Sequence, residues 1–117
     1  MQIRFATPND ATIIADFNKA MALETENKIL NDDTILQGAQ NLISQPQYGF
    51  YVVAEIDNEI VGSLMITYEW SDWRNGDFWW IQSVYVAPEF RERGVFRALY
   101  AHEIGHAVGN KALGVER

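Results

Sequence analysis

The segment Phe78–Tyr100, FWWIQSVYVAPEFRERGVFRALY, constrains the fold of this chain more tightly than any other. Its apolar first half reads as a buried strand and Pro88 as the stop, and the Arg/Gly stretch that follows reads as a loop opening straight into a helix. That order sets the N–H groups of a first helical turn, which have no intrahelical acceptor, beside Arg91, Arg93 and Arg97. A phosphate group is stabilised at such a place by the N–H groups and the helix dipole together. A strand feeding a loop of this kind is how a protein holds a nucleotide-like cofactor by its pyrophosphate.

Charge and composition narrow the ligand. A net charge of −7 opposes nucleic acid or an anionic membrane as the main partner. Against that background three of the nine basic residues fall between positions 91 and 97, which suits a small anionic ligand better than a long polyanion. At 117 residues the chain is expected to be one domain, residues 1–117, with a core of its own, and 48% hydrophobic content argues against disorder. There is no cysteine, hence no disulfide framework, thiolate metal site or thiol nucleophile. No apolar run approaches a membrane span and the first residues, MQIRFATPND, lack the shape of a signal peptide, so a cytoplasmic location without a membrane partner is expected.

The order of elements follows from periodicity and punctuation. Residues 2–6 alternate as a short strand, and Thr7-Pro8 opens a helix that carries Ile13, Ile14, Phe17 and Met21 at helical spacing to about Leu23. A second helix is expected over Asp33–Gln45, ended by Pro46. Strands follow over 50–55 and 59–70 with an Asp57-Asn58 turn between them, then a hairpin at Asn75-Gly76 and a strand over 78–86 that is apolar on both faces and so expected to be central. A helix over 94–107 comes last, and GNKALGVER fits no long element. The result is β-α-α-β-β-β-α, a mixed α/β domain with an antiparallel meander and a helix laid on it. A further strand is expected to be missing from the free edge of the fourth strand, a liability that a partner chain, as in a homodimer, would remove.

The run Val84-Tyr85-Val86-Ala87-Pro88-Glu89-Phe90-Arg91-Glu92-Arg93-Gly94-Val95-Phe96 closely resembles the acetyl-CoA motif of the GNAT superfamily of N-acetyltransferases: strand, V-x-P-x-x-[RQ]-x-x-G-x-[GA], helix. Arg91 fills the Arg/Gln place, Gly94 is the first glycine, and Phe96 replaces the last small residue. The element order before the motif follows the family too. The resemblance implies a GNAT-like fold in which Arg91, Arg93, Gly94, Val95, Phe96 and Arg97 hold the pyrophosphate of acetyl-CoA. It implies further that Val84, Tyr85 and Val86 pair with the pantetheine arm as a sheet edge pairs with an added strand. A bulge is expected at Gln82-Ser83. The implied activity is transfer of an acetyl group to a primary amine of a small molecule or peptide by direct attack, with no metal. Alternatives are a non-catalytic CoA-binding module or an interaction domain. The family normally continues with a fifth strand, a helix bearing a tyrosine acid and further strands, so the resemblance implies a domain incomplete at its C-terminal end.

For catalysis Glu69 is the carboxylate candidate for general base, Gln82 a residue that would position water, and Tyr85 a surrogate donor. A second motif competes. His102-Glu103-Ile104-Gly105-His106 is a literal H-E-x-x-H on a helix, the pattern of a zinc hydrolase. The third histidine of the longer pattern is missing, since position 112 is alanine, and the expected reading is a solvent-facing helix flank. Trp79 and Trp80 are expected to fill the two sides of their strand, leaving Trp73 in the hairpin loop as a candidate for ligand or partner contact. The acidic run through Glu24, Glu26, Asp32 and Asp33 would suit a cationic amine acceptor.

Overall fold

Local chemistry starts and stops the elements much as their residues dictate. The computed structural model describes residues 1–116. After strand β1 (Gln2–Phe5), Thr7 caps a single 3-10 turn, Pro8–Asp10, and helix α1 (Ala11–Glu26) continues from it. Asp10 is the hub of this entry: its carboxylate accepts from the Thr7 amide (2.7 Å) and from both terminal nitrogens of Arg4 (2.8 and 3.1 Å). That pairing holds the Asp10 carboxyl below its ordinary value of 3.8. Helix α1 runs three residues past the expected end and closes on Asn27 in the left-handed conformation. Asn31 caps α2 (Asp32–Ser44) by accepting from the Thr34 amide at 2.9 Å.

The sheet has the order β1-β2-β3-β4-β5, with β2 at Gly49–Ile56, β3 at Glu59–Ser71 and β4 at Gly76–Val86. Neighbours are antiparallel through β4. The β2–β3 turn sets Asp57 and Asn58 both at positive φ (51° and 64°), the combination whose twist matches a hairpin. Gly49 is demanded by space: a Cβ there would lie 2.0 Å from the Ile66 carbonyl oxygen. Helix α3 (Val95–Gly109) follows the motif loop.

Two expectations about the C-terminal end are corrected. The free edge of β4 is not bare, because Gly114–Glu116 forms a short fifth strand, β5, running parallel to Phe78–Trp80. This leaves β4 an interior strand, as its two apolar faces indicate, between β3 and β5. The stretch GNKALGVER therefore contributes an element, although Arg117 lies outside the described residues. From Ile81 to Val86 that same edge of β4 has no strand partner among the described residues.

Helices cover both faces. Helices α1 and α2 pack on one side through Ala11, Ile14 and Ala39 against Tyr51 and Val53. On the other side Val95, Leu99 and Ala107 of α3 meet Val52, Leu64, Ile66, Trp79 and Ile81. Burying each of the larger aliphatic side chains stabilises the fold by roughly 1.5–3 kcal/mol. Trp79 is buried in the α3 layer and Trp80 is half-buried on the opposite face, as alternation requires, while Trp73 is 91% exposed.

Candidate cofactor cleft

The site begins with a break in the β3–β4 ladder. Met65 faces Gln82, but Ser63 faces Tyr85, so β4 carries one extra residue between them. Ser83 takes it up at φ 51°, at the position the sequence indicates for a bulge. Beyond the bulge the ladder resumes, and the Ala87 amide bonds the Val61 carbonyl at 2.8 Å. In an alternating antiparallel ladder Val86 then turns its own N–H and carbonyl outward, to the uncovered edge.

The motif loop delivers a helix start beside that edge. A 3-10 turn (Pro88–Phe90) leads through Glu92 at φ 66° to Gly94 at φ 80°, the N-cap of α3. The first helical bond runs from the Ala98 amide to the Gly94 carbonyl (3.0 Å), so the amides of Val95 and Arg97 precede any intrahelical acceptor. A Cβ on Gly94 would meet nothing within 4 Å; it would project into open space. Gly94 also lines a recess of about 270 Å³, together with Val86, Phe90, Arg91, Phe96 and Arg97. Phe96, where the motif prefers a small residue, is half-buried with its ring 5.9 Å from that of Tyr100. The Arg97 side chain is exposed, and the Arg93 guanidinium lies 5.2 Å from the centre of the Phe90 ring.

Arg91 is tied down. Its Nε donates to the outward Val86 carbonyl (2.9 Å), its Nη2 to both carboxylate oxygens of Glu24 (3.0 and 3.2 Å), and its guanidinium lies 5.2 Å from the Tyr85 ring centre. A second recess, about 390 Å³, opens between the end of α1 and β4, with Met21, Glu24, Thr25, Val84, Tyr85 and Arg91 among its walls. Burial pushes the Tyr85 hydroxyl above its ordinary value of 10.0, and the Glu24 charge adds to this while Arg91 opposes it. Met21 and Thr25 also line a third cavity of about 320 Å³ that reaches Asn18 and the bulge residue Ser83. The Asn18 Oδ1 is buried there without a hydrogen-bond partner. Neither Asn18 nor the Glu24–Arg91 pair, 67 residues apart, carries a sequence signal that would have found it.

The two catalytic candidates sit on the α1/α2 face of the hairpin. Gln82 adjoins the bulge, and its Nε2 donates to Thr67 Oγ1 at 2.5 Å. Glu69 accepts from the Trp80 indole N–H at 2.6 Å. It faces Phe78, five residues up β4 from Ser83, or about 16 Å at strand rise. Of the two, Gln82 is the one beside the bulge.

The H-E-x-x-H helix is not a solvent-facing flank. Glu103 is 0% exposed, and its two oxygens meet His102 Nδ1 (3.0 Å) and His106 Nδ1 (3.3 Å). The His106 ring packs 5.1–5.5 Å from the ring centres of Phe5, Phe50 and Trp79. A metalloprotease needs this glutamate at the metal-bound water. Here it is enclosed and both its oxygens are engaged, an arrangement that serves packing rather than hydrolysis.

The chain matches the model of the acetyltransferase (GNAT) family over residues 14–117. A possible acetyltransferase from Clostridium difficile 630 is 40% identical over 98% of this chain and 76% of that one, with a TM-score of 0.93. The fold recurs in a predicted acetyltransferase with acetyl-CoA from Clostridium acetobutylicum (17% identity, TM-score 0.79, 97% of this chain and 77% of that one). It recurs again in glucosamine-6-phosphate N-acetyltransferase from Arabidopsis thaliana (16% identity, TM-score 0.76, 97% and 78%). Among curated proteins none matches the chain. The bulged strand, the left-handed Gly94 and the helix start agree with these matches: the protein belongs to the GNAT family of acetyltransferases.

Proposed function

We propose that the protein binds acetyl-CoA and transfers its acetyl group to a primary amine. The carrying observation is the junction of an uncovered strand edge with an open, left-handed Gly94 at a helix start. The pyrophosphate would lie over the first turn of α3, held by its amides and by Arg97, with Arg91 and Arg93 adding charge. Val84–Val86 would take the pantetheine arm by strand addition. A partner strand in a homodimer would need the same backbone groups, so this edge serves one or the other.

When bound, the cofactor supplies an activated thioester. The amine nitrogen forms the new C–N bond, the C–S bond breaks, and CoA leaves as the thiol while the amine gives up a proton. The chain has no cysteine, so attack is direct, without an acyl-enzyme on a thiol. Gln82, beside the bulge, would orient a water that carries the proton, with Glu69 as the remote carboxylate. The acceptor would enter from the cavity at Asn18 and Ser83, whose rim carries both Glu26 and Lys28. Incubation with acetyl-CoA and a panel of primary amines, read by release of CoA thiol, tests the reading. Turnover with at least one amine, lowered in Arg97→Ala, is expected; binding of acetyl-CoA with no turnover across the panel would leave a CoA-binding module instead.

A further inference from the structure

We propose that Glu24 is a positioning residue for the cofactor groove, holding Arg91 against the outer edge of β4 so that the last turn of α1 and the phosphate loop form one wall. The inference rests on the acetyl-CoA reading above. Three contacts carry it. Arg91 Nε is on the outward Val86 carbonyl, Nη2 is on both Glu24 oxygens, and the guanidinium lies over Tyr85. These bonds engage Nε and Nη2, and the Tyr85 side chain adds to the hold, so the clasp fixes the arginine where it lines both recesses.

The placement of Glu24 makes little sense for the helix alone. It lies in the last turn of α1 with Glu26 nearby and no basic residue in that turn, where the helix dipole disfavours negative charge. Arg91 supplies the missing positive charge from another element. The pair borders the recess along Val84 and Tyr85, and Met21 and Thr25 of the same helix turn the corner into the cavity at Ser83. Loosening either member therefore frees a groove wall without touching the core, since Glu24 and Arg91 are 41% and 43% exposed.

A double-mutant cycle on the full chain tests the clasp, with CoA affinity by calorimetry and the thermal midpoint as readouts. Glu24→Gln and Arg91→Gln should each weaken CoA binding on the order of 3- to 10-fold with the midpoint almost unmoved, as an exposed pair allows. The double variant should bind about as well as the weaker single one, because both changes remove the same contact. Unchanged or tighter binding by Glu24→Gln overturns the proposal, since Glu24 would then be a bystander or a competitor of the phosphates. Losses that multiply in the double variant overturn it as well. If the unaltered chain fails to bind CoA, the functional reading falls and the clasp with it; indifference confined to Glu24→Gln removes the clasp alone.

Discussion

Replacing Gly94 by alanine separates what the loop needs for folding from what it needs for binding. Gly94 sits at φ 80°, where an L residue with a Cβ pays roughly 1–2 kcal/mol. No steric cost adds to this, because the new Cβ would meet nothing within 4 Å. For 117 residues unfolding with about 2.1 cal/mol/K per residue, that cost lowers the thermal midpoint by about 4–8 °C. The same Cβ would be added to a residue that lines the recess proposed for the pyrophosphate. Displacing a phosphate from one charge-assisted hydrogen bond forfeits about 1.5–3 kcal/mol, or roughly 10- to 150-fold in affinity. Thermal melts and calorimetric titration with CoA, run on the same preparation, give both numbers. A variant that melts lower yet binds CoA as the parent does would refute the placement of the phosphate against Gly94.

Asp10→Asn should cost about 2–3 kcal/mol, because it removes a buried charge that accepts from Arg4 and Thr7, and urea denaturation would show it. The Asp10 carboxyl is held below its unfolded value, so its contribution is complete above about pH 4 and fades as the pH falls through the lower folded value. The acid limb of a stability profile should accordingly be shallower in Asp10→Asn; an unchanged limb would contradict that assignment. Glu103→Gln leaves one imidazole without its carboxylate oxygen and should destabilise by about 1–2 kcal/mol, while a chelator leaves the parent's melting midpoint where it was. A midpoint that drops in chelator would restore the metal reading of the helix.

Much of the fold was legible because its punctuation is chemical. Thr7-Pro8, Asp57-Asn58 and Asn75-Gly76 mark an entry and two hairpins that backbone conformation then realises, and the family resemblance points to a bulge at Gln82-Ser83, which Ser83 takes up, and to a helix from about Gly94, which is its N-cap. What escaped depends on packing across the chain. Strand β5 is three residues long, too short for a period to show, and exists because Gly114–Glu116 can pair with β4. The fate of Glu103 was illegible for a similar reason: its two histidines are close in sequence, but the burial that encloses it comes from the sheet that α3 covers. The Glu24–Arg91 clasp joins residues whose proximity only the folded chain reveals. On the site itself, the loop and helix start proposed for the phosphates stand out through glycine and arginine spacing, whereas the acceptor side has no comparable pattern.

The central claim is that this cleft holds acetyl-CoA. Calorimetric titration of the purified chain with acetyl-CoA tests it most directly, because it needs no knowledge of the acceptor. Saturable binding at one site per chain is the predicted result. Absence of binding at millimolar cofactor would contradict the account, leaving a GNAT fold whose uncovered β4 edge and open helix start must serve another partner.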